Sequence, residues 1–256
     1  MATGVVRQSQ QRFEDRFSLL RDLDQPLREN PLNELVAAYG GYYSRAKSMM
    51  YNDAVDATFK FSVDDEGRYG ANNTGRAMVV ARNAIRGKLG VSFVNVTQTG
   101  WDTHAGQFHR GITTNNYTLA NDLDRAVGSL VEDLRASGDL DSTLIVMMGE
   151  FGRTPAGLNS RGGRDHYRTA MSVAMIGGGI TAGRALGSTD SAGATIVDPG
   201  WSAGRPIYPD DIAATIYSAL GIDWTKTIDD TPSGRRFYYV NRAGEDGFHP
   251  VEEVFA

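Results

Sequence analysis

Three short stretches of this sequence carry residue types that can hold a metal ion or an anion. The first is Gly100-Trp101-Asp102-Thr103-His104. In extended backbone, residues two apart point the same way. Asp102 and His104 can therefore reach one cation with a carboxylate oxygen and an imidazole nitrogen, a donor pair suited to zinc or manganese. The same spacing also permits a plainer arrangement, in which Asp102 only orients His104 through a hydrogen bond. The second stretch is Gly149-Glu150-Phe151-Gly152-Arg153-Thr154-Pro155. A carboxylate at the end of an apolar strand is costly to place unless it meets a cation or a substrate, which nominates Glu150; the alternative is a Glu150–Arg153 ion pair closing a turn.

The third stretch is Arg161-Gly162-Gly163-Arg164-Asp165-His166-Tyr167-Arg168. Asp165 and His166 are neighbours and face opposite sides of an extended chain, so one of them faces a shared site; His166 is the expected ligand, and Asp165 the other metal-type group of the pair. Arg153, Arg164 and Arg168 can hold a tetrahedral anion through forked hydrogen bonds, or else form a solvated basic loop. His109 is a further candidate nitrogen ligand or an exposed loop histidine. The expected metal ligands are thus drawn from Asp102, His104, Glu150, Asp165 and His166. Glu150, Arg153 and Arg164 are the residues expected to take part in catalysis, Glu150 by completing or supporting the site and the two arginines by neutralising an anion.

These groups must be brought together by the elements around them. Thr74 can cap a helix with an apolar stripe through Ala77, Met78, Ala81, Ala84 and Ile85, ending at 87–90. Thr118 to Ala136 places Leu119, Leu123, Ala126, Val127, Leu130 and Leu134 on one face, with Gly138 at the stop position. Val91 to Thr97, Thr143 to Met148 and Met171 to Ile176 read as strands, the second apolar enough to be buried on both faces. Asp210 to Leu220 reads as a short helix. Strand, helix, strand at these lengths predicts a three-layer α/β/α sandwich with a mostly parallel sheet. In such sheets ligands bind beyond the strands' carboxyl ends, where all three stretches would fall. Before this, the chain reads as helical and irregular: Phe13, Phe17 and Leu20 recur at helical spacing, Asn30-Pro31 opens a segment to Met50, and Gly40-Gly41 breaks or kinks it. No element is assigned over 55–69. The expected organisation is a helical or irregular segment over 1–70, the α/β domain over 71–240 and a tail over 241–256.

Composition narrows the function classes. A hydrophobic content of 41% with 22% charged residues excludes global disorder. With 26 Lys and Arg against 31 Asp and Glu, the net charge of −5 gives no field to hold a nucleic acid. The absence of cysteine excludes disulfide scaffolds, thiolate metal sites and cysteine nucleophiles, so His and carboxylates are the ligands left. No run of roughly 18 apolar residues predicts a membrane span. The glycine run 177–183 fails the dinucleotide fingerprint, and neither a G-x-S-x-G elbow nor a P-loop is present.

The order of these motifs, from Gly100-Trp101-Asp102-Thr103-His104 through Asp141-Ser142-Thr143-Leu144-Ile145-Val146 and Gly149-Glu150-Phe151-Gly152-Arg153-Thr154-Pro155 to Gly163-Arg164-Asp165-His166, resembles the bacterial domain of unknown function 1501 family over about residues 59–221. That family is grouped with the alkaline phosphatase and sulfatase superfamily. The resemblance implies an alkaline phosphatase-like sandwich with one or two divalent metals, zinc or manganese foremost and calcium as a further option. It also implies a metal-dependent hydrolase acting on small anionic esters of phosphate or sulfate, and export to the periplasm. Matched residue by residue, Asp102 and His104 correspond to the superfamily's first ligand pair, Glu150 to the Asp of its second pair and His166 to its last His. Phe151 stands where the second pair has its His, and phenylalanine cannot ligate. The superfamily's nucleophile precedes these motifs, and no motif of that kind occurs before Thr74. The chain is accordingly expected to be the C-terminal portion of a sandwich incomplete at its N-terminus, or a degenerate relative that serves as a binding or structural module without turnover.

Overall fold

The structure, a computed structural model, describes residues 9–112, 114–231, 233–241 and 247–255. Residues 1–8 of the expected N-terminal segment and residues 242–246 and 256 of the expected tail lie outside the described residues. Two compact units are present: Met1–Ser62 with Asn83–Val94, and Val63–Arg82 with Asn95–Ala256.

The first unit is helical, built from α1 (Gln10–Leu23), α2 (Gln25–Glu29), α3 (Glu34–Met50) and α4 (Asp53–Thr58). Polar caps set the boundaries. Asn33, rather than Asn30, caps α3, its Oδ1 accepting from the Val36 N–H at 3.0 Å, and Asn52 caps α4 in the same way. Gly40 and Gly41 do not interrupt α3; glycine inside a helix costs about 1 kcal/mol relative to alanine but removes no hydrogen bond. The unassigned region over 55–69 is also helical, divided between α4 and α5 (Val63–Tyr69) of the second unit. Asp64, Asp65 and Glu66 sit in the first turn of α5, where acidic groups complement the helix dipole.

In the second unit, α5 packs on α7 (Asn116–Ser137). The long helix α6 (Asn73–Arg86) begins here and ends in the first unit. Of the expected apolar stripe of α7, Leu119, Ala126, Val127, Leu130 and Leu134 lie in the core, and Leu123 is half-buried. Gly138 ends the helix at φ +77°, a left-handed conformation that glycine adopts without a Cβ penalty. Beside these residues Asp133 joins three partners: Tyr69 Oη donates to it at 2.7 Å, Arg82 Nη1 at 2.9 Å and Arg68 Nη1 at 2.6 Å. Burial raises the Tyr69 phenol well above its ordinary pKa, so it stays a hydrogen-bond donor. Tyr69→Phe is expected to lower stability by about 1–2 kcal/mol, the cost of a buried hydrogen bond to a charged acceptor. Urea denaturation checks this, and a loss below about 0.5 kcal/mol would mean that the phenol adds nothing beyond ring packing.

The expected three-layer sandwich is not present. Among the described residues all four sheets are two-stranded and antiparallel: β1 (Ile145–Met147) with β4 (Ala174–Ile176), β2 (Gly152–Arg153) with β3 (His166–Tyr167), β5 (Ser188–Thr189) with β6 (Ile196–Asp198), and β7 (Thr227–Ile228) with β8 (Phe237–Tyr238). A parallel pair needs a crossover, usually a helix, to carry the chain back to the starting edge. Residues 148–173, between β1 and β4, instead fold as turns around the β2–β3 pair. The chain therefore doubles back, and β4 meets β1 head to tail. With two strands in its sheet, β1 is half-buried rather than enclosed on both faces. Val91 to Thr97 forms no strand. Its β-branched run meets no ladder partner among the described residues, and Phe93 is 68% exposed. The last helix, α8 (Pro209–Ala219), lies within a residue of its expected position.

Candidate metal centre

What converges is built by loop pairing rather than by the end of a parallel sheet. Arg153 in β2 is directly opposite His166 in β3, and the Thr154 N–H to Asp165 carbonyl bond at 3.0 Å extends that pairing. An isolated antiparallel bridge joins Ala105 to Gly162. It is flanked by N–H donation from Gly106 to the Arg161 carbonyl at 2.9 Å and from Gln107 to the Gly162 carbonyl at 3.0 Å. The segment after Asp102 is thereby laid against the turn that leads into β3.

The result is a cluster of three ligand-type side chains, Asp102, His104 and His166. Asp102 Oδ1 lies 2.9 Å from His104 Nε2 and 2.8 Å from His166 Nε2, and the two Nε2 atoms are 3.1 Å apart. These separations match one face of the shell around an ion with ligands at about 2.0–2.2 Å. The side chains are 69%, 31% and 49% exposed respectively, so solvent or a substrate can reach the open side. Phe151 lies against the His166 ring with centroids 4.2 Å apart. Phe151 thus serves as a wall that sets the ring's orientation.

Arg153 braces the cluster. Its Nη2 donates to Asp102 Oδ1 at 2.8 Å and to the Trp101 carbonyl at 3.2 Å, and its Nη1 to the Arg164 carbonyl at 3.2 Å. Hydrogen bonds from His166 and then Arg153 hold the Asp102 carboxyl far below the usual carboxylate range, so it is ionised and ready to ligate. Asp165 is not one of the three clustered residues; its Oδ1 lies 2.7 Å from His104 Nδ1. Hydrogen bonds from His104, then Asn159, lower its pKa as well.

The remaining expected residues lie elsewhere. Glu150 is exposed, outside the cluster, and makes no hydrogen bond or ion pair with the described residues. Arg164 turns its Nη1 back onto the carbonyls of Thr154 and Ala156. Arg168 is exposed, and the His109 Nδ1 accepts from the Gly111 N–H in a local turn. Asn159 was missed in the sequence. Its Oδ1 accepts from the N–H groups of Arg161 at 3.0 Å and Gly163 at 3.1 Å, and its Nδ2 donates to the His104 carbonyl at 3.1 Å. The signal was available: an Asn ahead of Ser160-Arg161-Gly162-Gly163 is a turn signature in which the side chain caps the N–H two residues on.

The chain belongs to the family of proteins of unknown function DUF1501, whose model matches residues 3–252. No curated protein and no solved structure matches it. Among the described residues no helix is long and apolar enough to cross a membrane.

Proposed function

We propose that the cluster is the centre of a metal-dependent hydrolase acting on phosphate or sulfate esters, with Asp102, His104 and His166 holding one divalent cation. The observation that carries this reading is the approach of three ligand atoms from two separate segments, 102–104 and 166, to within 3.1 Å of one another on a solvent-open face. Two imidazoles and one carboxylate favour zinc or manganese over calcium, which takes an oxygen shell. When bound, the cation supplies Lewis-acid polarisation of an ester oxygen and a water acidic enough to act as nucleophile near neutral pH.

The protein's own groups fix the rest. Arg153 keeps Asp102 ionised and aimed at the cluster. Arg161, 64% exposed and 3.9 Å from Asp165, is the guanidinium beside the centre with room to take an anionic substrate. The hydroxyls closest in sequence are engaged, Thr103 with Trp101 and Asn116, and Thr154 with the Asp165 N–H; this favours water as the nucleophile. The motif order from Asp102 to His166 supports the reading through its likeness to the alkaline phosphatase and sulfatase superfamily, whose layered sheet forms no part of it.

A second reading, a metal-binding module without turnover, is favoured by one observation: Nη1 and Nη2 of Arg153 and Nη1 of Arg164 already donate to protein acceptors. An assay of aryl phosphates and aryl sulfates with added zinc or manganese separates the two. Turnover that disappears in Asp102→Asn supports the hydrolase, and bound metal without turnover of either ester class supports the module. Equal metal content in wild type and His104→Ala removes the site itself.

A further inference from the structure

We propose that Asp165 is a positioning residue for this centre: its carboxylate, fixed by Asn159, accepts the Nδ1–H of His104 when Nε2 holds the cation and so sets the direction of the ring. The inference rests on the metal-centre reading above and deepens it, because it assigns the group that makes His104 a competent ligand.

The two ring nitrogens of His104 are engaged from opposite sides. Nδ1 lies 2.7 Å from Asp165 Oδ1, while Nε2 lies 2.9 Å from Asp102 Oδ1 and 3.1 Å from His166 Nε2. Each nitrogen thus faces a carboxylate, which can only accept. A cation in the cluster takes the Nε2 lone pair in place of that contact, and the N–H left on the ring is then the one on Nδ1, which donates to Asp165. The same geometry separates Asp165 from the ligands. The ring nitrogens point away from each other, so a group bonded to Nδ1 lies across the ring from a cation on Nε2. Strand alternation produces this division of labour between neighbours: His166 joins the cluster, and Asp165 stands behind His104.

Asn159 makes the arrangement rigid. Its Nδ2 donates to the His104 carbonyl at 3.1 Å and reaches each Asp165 carboxylate oxygen at 3.4 Å. Its Oδ1 is held by the N–H groups of Arg161 and Gly163. One amide thus ties the backbone of the ligand to the carboxylate that orients its ring. A carboxylate behind a metal-bound imidazole typically contributes about 10–100-fold in metal affinity.

The test has two readouts. In the zinc-loaded protein, NMR of the His104 ring is expected to show zinc on Nε2 and an Nδ1–H protected from solvent exchange in wild type. Asp165→Asn, which keeps an acceptor oxygen, is expected to retain that protection, and Asp165→Ala to lose it. In zinc titrations against a competing chelator, Asp165→Ala is expected to bind about 10–100-fold more weakly with the wild-type stoichiometry, and Asp165→Asn to stay closer to wild type. Either wild-type zinc affinity or a still-protected Nδ1–H in Asp165→Ala overturns the proposal. So does a loss of zinc stoichiometry shared by both variants, which would make Asp165 a ligand. Should wild type bind no zinc or manganese, the metal-centre reading fails and this role with it; zinc bound equally tightly by wild type and Asp165→Ala overturns the role of Asp165 alone.

Discussion

Asp211→Ala is expected to lower the stability of the second unit by about 3–5 kcal/mol, the cost of breaking a buried ion pair and leaving its partner charge unmatched. Asp211 is fully buried. Its carboxylate accepts two bonds from Arg205, at 2.7 and 2.8 Å. It also accepts from the Tyr208 N–H at the start of α8, at 2.8 Å, and from the His249 N–H, at 3.0 Å. One side chain therefore caps the helix, pairs the arginine and anchors the C-terminal segment. Arg205 lies among the rings of Trp201, Tyr208 and Phe248 and is 17% exposed, so water replaces the lost carboxylate only in part. Urea denaturation at neutral pH measures the loss, and a value below about 1 kcal/mol would show that the pair is dispensable. The pH dependence has a definite sign. Burial pushes the Asp211 carboxyl up, but the bonds from Arg205, Tyr208 and His249 outweigh it and the pKa is lowered. A carboxyl with a lowered folded pKa stabilises fully above its unfolded value of about 3.9 and loses that contribution as pH falls through the folded value. The gap between wild type and Asp211→Ala is therefore expected to be constant from neutral pH to about pH 5 and to narrow below about pH 4.

The parts of this fold that were legible in the sequence are those whose signals are local. The stripe from Leu119 to Leu134 and the stop at Gly138 define α7 without reference to anything else in the chain, and α6 and α8 follow the same rule. The strand-forming runs around Ile145 and Ala174 were legible too, but not their direction, because that depends on whether the intervening residues build a helical crossover or fold back on themselves. Val91 to Thr97 shows the limit most clearly: β-branched composition favours extended backbone, but a strand exists only where a partner supplies the ladder. Of the five expected ligands, Asp102, His104 and His166 come together, Asp165 lies against the far nitrogen of His104, and Glu150 stands outside. The expected reason for the grouping, a shared edge of a parallel sheet, was wrong; the β2–β3 pair and the Ala105–Gly162 bridge do that work. Arg164 was misjudged because the direction of a long, flexible side chain is set by nearby carbonyls, here those of Thr154 and Ala156, which local sequence does not specify.

Gly163→Ala is expected to dismantle the centre without touching any of its ligands. An added Cβ at residue 163 would fall on the carbonyl carbon and oxygen of His104 and within 2.6 Å of the Ala105 nitrogen. All three are backbone atoms, so no side-chain rotation relieves the clash, and the 104–107 segment has to lift away from residues 161–163. That movement strains the bonds from Gly106 to Arg161 and from Gln107 to Gly162, and it carries His104 off His166, to which its Nε2 is held at 3.1 Å. A metal shell tolerates little displacement, since ligand distances are fixed to within about 0.2 Å. The expected result is a loss of zinc affinity of about 100-fold or more and a stability loss of about 3 kcal/mol, in the range where overpacking becomes severe. Gly157→Ala is the matched control: a Cβ there meets nothing within 4 Å, and its effect on stability is expected to stay within about 0.5 kcal/mol. Wild-type zinc binding in Gly163→Ala would mean that the two segments need not touch for the ligands to meet. Loss of binding in Gly163→Ala alone would locate the origin of the centre in the contact of two backbones, for which the missing Cβ at residue 163 is as necessary as the imidazoles themselves.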